Sequence, residues 1–587
     1  MTEFHRLERS HRALGNARLA GVAVGLVGIW WVGANAPAHT WIAVLALAAG
    51  LLYTSSAFSR AETAMQTAAL AALFYRSFVN GEPRTRGEEG NARALGAHGD
   101  HPFAFDVDVL QPDGLFERLN LATTREGMRE LARFLTEPAG AAEMRRRQAA
   151  VKELKPCVDL REQLFVEGSR HSRHIRTDEM LRWGSQSAPH VPLWIPATLV
   201  TLSALVASAF VALALRPFVL TYSFLGASLL CETVFWCAVR NRVRVPSLEA
   251  PRLHVDFGKL GKLLRIAKDL EFDSPSLREL RAGGLSASQA LQGLFRILSW
   301  YEARHNQIVA LFGPLVAFET QVALAVERWR IRHGPQLREW IGAVATLEAY
   351  SSLGTFAYEN PTYVFPDLSD DGPRLHATGL AHPLLRDEAV PNDVALDSGE
   401  PILVVSGANM AGKSTLLRTI GTNVSLAYSG APVRATAMTM SGLAVIASVR
   451  VTDSLQRGES RFSAELRRIQ AMLESVQAGR PTLVLIDELF GGTNSYDRYT
   501  GALALTDFLL ASDAALGVLS THDRNVTRWV EENTGQVRNV HFRDTLKGGR
   551  MSFDYRLRNG PATHGNAVEL MRLAGIPFRG SRLASRA

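Results

Sequence analysis

A chain of 587 residues has room for three or four domains, and with 47% hydrophobic residues it has ample material for buried cores. Its 64 basic and 57 acidic residues leave a formal charge of +7, a mild excess for this length. The three cysteines, Cys157, Cys231 and Cys237, show no metal-like spacing and are too few for a disulfide framework, which excludes disulfide-scaffold and cysteine-metal classes.

The first predicted elements are apolar. Residues 19–35 and 40–58 carry no charge, and each run is long enough to cross a bilayer at about 1.5 Å per residue. With Ala36-Pro-Ala-His39 between them they read as a helical hairpin. A cleaved signal peptide is the rival for the first run, and buried soluble helices are the rival for both. The second run follows at once without a convincing cleavage site, which favours a hairpin. Residues 80–100 are glycine-rich and charged and read as a linker.

From His101 the chain turns helical, after a turn signal at Pro112-Asp113-Gly114, with periodicity through Leu154. Asp106 and Asp108 are expected to be structural, because nothing nearby completes a metal site. Residues 191–215 and 217–239 predict a second membrane hairpin, with Glu232 as the single charge inside the runs and Arg216 at the turn. Arg173, Arg176 and Arg182 precede this hairpin and Arg240, Arg242 and Arg244 follow it, while Arg6, Arg9, Arg12 and Arg18 precede the first. That distribution places both termini in the cytoplasm, as for a multi-pass protein of the cytoplasmic (inner) membrane. The loops on the far side are short, so no external ligand is expected. Glu232 either hydrogen-bonds to a nearby Ser or Thr or faces an aqueous path. Residues 253–350 return to a helical pattern.

An apolar strand-like run, Ile402 to Val405, then leads into a loop of the form G-x-x-x-x-G-K-[ST]. Its residues are Gly407, Ala408, Asn409, Met410, Ala411, Gly412, Lys413, Ser414 and Thr415. Glycines let backbone N–H groups approach phosphates without a Cβ in the way; Lys413 reaches the β/γ oxygens and Ser414 holds Mg²⁺. Residues 415–426 predict a helix whose positive end faces the same phosphates. The run Thr482-Leu-Val-Leu-Ile ends in Asp487 and Glu488, the first suited to Mg²⁺ and the second to polarising an attacking water. Another strand-like run, 516–520, ends in Thr521-His522-Asp523.

These words together resemble the ATPase domain of the MutS family, the ABC-type ATPases of DNA mismatch repair. The resemblance rests on the loop from Gly407 to Thr415, on Asp487-Glu-Leu-Phe-Gly-Gly-Thr493-Asn-Ser-Tyr-Asp497, and on Ser520-Thr-His522. It extends to Leu380-Ala-His382-Pro383, Val390-Pro-Asn392-Asp393, Thr563-His-Gly565-Asn-Ala567 and Leu573-Ala-Gly-Ile-Pro577. It implies ATP and Mg²⁺ as cofactors, a head-to-tail homodimer, and DNA, mismatched or branched, as a partner. The segment Thr452-Asp-Ser-Leu-Gln-Arg-Gly458-Glu-Ser460 is similar to the family's signature, which would bring Gly458 and Ser460 to the partner's γ-phosphate. His522 would sense that phosphate in cis. Ala408, Ala411 and Phe490-Gly491 depart from the family pattern, and Ala389-Val390 stand where an adenine-stacking aromatic is usual.

Residues 101–154 look like the opening of the family's helical core, or lever, with a membrane hairpin in place of the DNA clamp. Phe165-Val-Glu167 fits the short pattern of the mismatch wedge but falls in a helical segment and reads as coincidence. Basic clusters at Arg145-Arg-Arg147 and between Arg170 and Arg182 suit DNA phosphates and anionic lipid equally. The expected fold is an α/β P-loop ABC-type ATPase joined to an all-α lever with four transmembrane helices in two hairpins. Its expected divisions are a tail (1–18), hairpin (19–58), helix and linker (59–100), first core half (101–190), hairpin (191–239), second core half (240–350), ATPase (351–578) and tail (579–587). The expected function is a membrane-anchored ATPase switch in DNA processing. The alternative is a DNA-independent ATPase that moves its membrane hairpins or a membrane partner.

Overall fold

The computed structural model describes residues 2–36, 40–80, 101–170, 175–186, 194–247, 250–268, 271–302, 318–385, 388–408, 410–450, 461–488, 490, 494–532, 535–547 and 550–562. Two long helices, Thr2–Asn35 and Thr40–Asn80, lie against each other at the start of the chain. The second runs well past the apolar stretch because residues 59–80 are rich in alanine and carry few charges, so nothing stops the helix. Its far end docks on the helix Val158–Ser169, where Phe74 meets Phe165 with ring centroids 5.8 Å apart and Tyr75 Oη donates to Glu162 at 2.6 Å. Phe165 is therefore a core residue, and Glu167 pairs with Arg170 and Lys262.

The helices Trp194–Leu215 and Val219–Ser247 form a second hairpin. Among the described residues four stretches, Gly15–Asn35, Val44–Arg76, Trp194–Leu215 and Val219–Ala238, are long and apolar enough to cross a membrane. Large apolar side chains on them, among them Leu19, Trp30, Leu215 and Val219, are exposed. Glu232 is buried between helices, accepting from Ser203 Oγ at 2.7 Å, and Gln321 Nε2 reaches the same hydroxyl at 3.2 Å. The hydrogen bond to serine is the plainer of the two roles expected for this acid. Gln321 lies on the helix Phe318–His333, whose Leu324 packs with Ile195 and Leu199 of the hairpin.

Helical segments before and after this hairpin build one core. The helix Leu337–Glu359, buried along most of its length, packs on Arg125–Thr136, Ala141–Leu154, His254–Lys268 and Pro275–Glu302. Trp183 stacks on Trp329 at 6.0 Å, closing the end of that core nearest the hairpin.

Ten strands follow among the described residues: β1 (Asp367–Leu368), β2 (Leu375–Leu380), β3 (Asn392–Leu396), β4 (Ile402–Ser406), β5 (Ala437–Met440), β6 (Ala444–Ser448), β7 (Thr482–Ile486), β8 (Ala515–Thr521), β9 (Val537–Lys547) and β10 (Arg550–Asn559). They form a four-stranded sheet, β1-β5-β2-β3, and a six-stranded sheet, β10-β9-β4-β8-β7-β6. In the larger sheet every neighbouring pair is parallel except β9 and β10. β4 and β7 are buried at every position, which explains their unbroken apolar runs: helices cover both faces of a parallel sheet. The chain thus joins a mixed α/β unit to a helical one.

Candidate active site

β4 lies between β8 and β9, so its C-terminal end opens at the middle of the sheet, where the carboxyl ends of parallel strands leave a crevice. The loop that follows adopts backbone angles foreign to most side chains, with φ of 141° at Gly407, 69° at Met410 and 112° at Gly412. A Cβ at Gly407 would also come 2.9 Å from the Phe542 carbonyl oxygen, so glycine is required there on two counts. Gly412 is the N-cap of the helix Lys413–Ser429, which begins slightly earlier than expected. Its first residues, Lys413, Ser414 and Thr415, all face the cleft, while Ala411 is buried and Met410 is 85% exposed.

Lys413 is buried, and its Nζ donates to the carbonyl oxygens of Gly407 at 3.0 Å and Ala408 at 3.1 Å. Burial pushes its ammonium below the ordinary lysine range, and the nearby Glu488 and Asp487 carboxylates oppose that shift.

The paired acids come from β7. The Asp487 N–H donates to Ser448 O at 2.9 Å, and its Oδ1 accepts from the Ser520 hydroxyl at the end of β8. The same hydroxyl accepts the Glu488 N–H at 3.1 Å, so one serine fixes both acids. Ser520 stood in the sequence only as part of a motif; its role appears once β7 and β8 are adjacent. Glu488 has φ of 51°, a strained angle, and lines the same cleft as Lys413. His522 Nδ1 lies 3.6 Å from Glu488 Oε1, and its Nε2 lies 3.2 Å from Arg498 Nη1. His522 sits in a small hollow behind Glu488, away from the wall formed by Lys413 and Ser414.

Lys413, Ser414, Asp487 and Glu488 line one cleft of about 640 Å³. The same cleft is lined by Ala389 and Val390, as the sequence implied, but also by an aromatic that the sequence did not reveal. Tyr555 reaches in from β10, with φ of 54°, and its ring lies 3.3 Å from where a Cβ at Gly412 would be. Asn392 holds that strand, donating to Tyr555 O at 3.0 Å and accepting from the Leu557 N–H at 2.7 Å. Tyr555 thus sets an aromatic ring against the loop, in a cleft where Ala389-Val390 offer none.

The Ser414 hydroxyl and an Asp487 carboxylate on one cleft fit Mg²⁺, which takes few protein oxygens and relies on phosphates and water for the rest. No cluster of three or more His, Cys, Asp or Glu side chains suited to a metal occurs among the described residues. Asn409, Gly458, Ser460, Thr493 and the tail words from Thr563 to Pro577 lie outside the described residues. The basic cluster Arg145-Arg-Arg147 is engaged within the chain: Arg145 with Asp370 at 2.8 Å, Arg146 with Glu279 at 2.9 Å, and the buried Arg147 with Glu143 and Tyr428 O.

Residues 403–585, which contain this loop and both acids, match the family model MutS domain V. The chain is 27% identical over 316 residues to the DNA mismatch repair protein MutS of Geobacillus sp. (strain WCH70), covering 52% of this chain and 36% of that one. It is 33% identical over 252 residues to the DNA mismatch repair protein msh3 of Emericella nidulans, covering 41% and 22%. To the DNA mismatch repair protein MutS of Natronomonas pharaonis it is 32% identical over 262 residues, covering 44% and 29%. The match thus spans about a fifth to a third of the length of these relatives. The part of the chain that carries the cleft is thus a domain V of the MutS family.

Proposed function

We propose that the chain is a membrane-anchored P-loop ATPase of ABC type, in which ATP binding and hydrolysis drive a dimer switch that acts on DNA. The observation that carries the ATPase reading is the meeting of Lys413, Ser414, Asp487 and Glu488 on one cleft at the end of β4. In this reading Lys413 leaves the Gly407 and Ala408 carbonyls for the β- and γ-phosphates, and the N–H groups of the loop and helix end bind the same oxygens. Ser414 and Asp487 would hold Mg²⁺, which would supply neutralisation of phosphate charge. Glu488 accepts a proton from the attacking water, Ser520 fixes its position, and His522 orients its carboxylate from behind. A second copy completes the site, with Gly458 and Ser460 against the γ-phosphate of the facing protomer.

DNA as the load is supported by the names of the relatives, which are DNA mismatch repair proteins. Anchoring in the cytoplasmic membrane is supported by the four apolar helices, their exposed side chains and the flanking arginines. Two observations favour the second reading, an ATPase that moves its own hairpins without DNA. The arginines at 145–147 are already paired within the chain, and the core helix Phe318–His333 is tied to the second hairpin through Gln321, Ser203 and Glu232.

The test is ATP hydrolysis by the full chain in nanodiscs, with and without homoduplex, mismatched and branched DNA over a range of salt, with Lys413→Ala as the blank. Stimulation that weakens with salt supports DNA as the load. Lys413-dependent hydrolysis indifferent to every DNA leaves the ATPase and selects the membrane reading. Equal rates in the wild type and the blank overturn the ATPase.

A further inference from the structure

Two residues of the cleft, His382 and Arg418, are backed by a segment from outside the α/β unit. Residues 101–110 fold into a tight turn that ends on the helix Lys413–Ser429, where Val107 is fully buried. A Cβ at Gly421 would come 2.7 Å from Val107, so the helix needs glycine where the turn seats. Asp106 and Asp108, on either side of that contact, are both buried. Asp106 accepts the Arg450 N–H at 2.7 Å and Arg468 Nη1 at 2.6 Å. Asp108 lies 3.0 Å from Arg450 Nη2, 3.5 Å from Arg418 Nη1 and 3.3 Å from His382 Nε2. The Leu384 N–H donates to His382 Nδ1 at 3.3 Å, which leaves Nε2 as the ring nitrogen beside Asp108.

His382 and Arg418 both line the nucleotide cleft. Arg418 stands one helical turn after Ser414, and its Nε reaches the Ser414 carbonyl at 3.3 Å. Asp108 is held at φ of 60°, an angle that side chains seldom adopt and that the surroundings must enforce. Burial pushes its carboxyl up, yet His382, Arg418 and Arg450 together outweigh burial and hold it below the usual carboxylate range. One ionised acid therefore serves two cleft residues and an arginine that follows β6.

We propose that Asp108 is a positioning residue of the nucleotide site, holding Arg418 and His382 at the cleft wall so that the helical half takes part in binding ATP. This rests on the reading of the cleft as an ATP site. The turn is secured by Val107, by the Leu115 N–H donating to Asp108 O at 2.8 Å and by Gln111 Nε2 donating to Asp108 Oδ1, while Asp108 Oδ2 is the oxygen nearest His382 and Arg418.

The test is the affinity of the full chain in nanodiscs for a fluorescent ATP analogue, in wild type, Lys413→Ala, Asp108→Asn, Arg418→Gln and the double variant Asp108→Asn/Arg418→Gln. Asparagine keeps the shape and tolerates the left-handed backbone while removing the charge. Asp108→Asn is expected to weaken binding about tenfold with its unfolding midpoint unchanged, and the double variant to bind no worse than the weaker single one. A turn that is merely structural would move the unfolding midpoint and leave the affinity alone. Unchanged or tighter binding by Asp108→Asn, or additive losses in the double variant, overturns the proposal. If Asp108→Asn unfolds, Arg418→Gln at its partly exposed side chain carries the test, and unchanged affinity there overturns it. If wild type and Lys413→Ala bind alike, the ATP reading falls and the proposal with it.

Discussion

Ser520 grips Asp487 from the neighbouring strand: its hydroxyl donates to Asp487 Oδ1 while it accepts the Glu488 N–H at 3.1 Å. The parallel register of β7 and β8 sets this geometry, with Ile486 opposite Leu519 just before the two strands end. A group that orients a metal ligand usually costs about 10- to 100-fold in metal affinity or activity when removed. Ser520→Ala is expected to lower kcat at saturating Mg²⁺ by about tenfold and to raise the Mg²⁺ requirement. A Mg²⁺ titration of ATP hydrolysis checks both; an unchanged curve removes Ser520 from the site.

Glu488 is the group placed to receive a proton from water, and its φ of 51° is an angle glutamine adopts equally well. Glu488→Gln is therefore expected to keep fold and ATP affinity while hydrolysis falls by about 100-fold or more. Uncleaved ATP should then accumulate on a dimer, visible as a doubled mass by light scattering on adding ATP and Mg²⁺. Normal turnover by this variant would move the base elsewhere.

Tyr555 gives the cleft its aromatic wall, and the consequence is a test of base recognition. Stacking of a base on an aromatic side chain is worth about 1–3 kcal/mol. Tyr555→Ala is expected to weaken ATP binding about tenfold or more, whereas Tyr555→Phe stays near wild type. Affinity for inorganic triphosphate, which has no base, should not change in either variant. Equal losses for ATP and triphosphate would mean that Tyr555 supports the loop and not the base.

What the sequence made legible was whatever the chain writes contiguously. The strand, loop and helix from Ile402 to Ser429 are local, and the apolar run before Asp487 marks a buried strand without knowledge of its neighbours. Tyr555 was hidden because its partner Asn392 is 163 residues away, and no local pattern encodes which aromatic reaches a loop across a sheet. The arginines at 145–147 looked available for phosphate because their partners are as remote: Arg145 meets Asp370 across 225 residues and Arg146 meets Glu279 across 133. Asp106 and Asp108 read as structural for want of a metal site, and they are paired with arginines; what stayed invisible was that one of those arginines, Arg418, lines the cleft, as does His382 beside Asp108. Charge partners separated by hundreds of residues are set by packing, which a single chain read in order does not display.

Glu348 offers a test of stability that leaves the cleft aside. It is buried on the helix Leu337–Glu359 and accepts the Thr123 N–H at 2.9 Å, Thr123 Oγ1 at 2.6 Å, the Thr124 N–H at 3.3 Å and the Thr124 hydroxyl. Burial pushes its carboxyl above the ordinary range, and the threonine donors offset only part of that. A raised carboxyl binds its proton more tightly folded than unfolded. Stability from this group is therefore fullest below the unfolded value of 4.5 and declines as pH rises from there through the folded value. Glu348→Ala strands four donors in the core and is expected to cost about 3 kcal/mol or more in chemical unfolding at neutral pH. Glu348→Gln keeps the shape but cannot titrate, so the wild type should gain stability relative to it as pH falls from neutral toward 4.5. Unfolding curves of the two proteins at matched pH values measure that gap. A gap that stays constant would show that Glu348 ionises in the core as readily as in water, its four donors having cancelled the whole effect of burial.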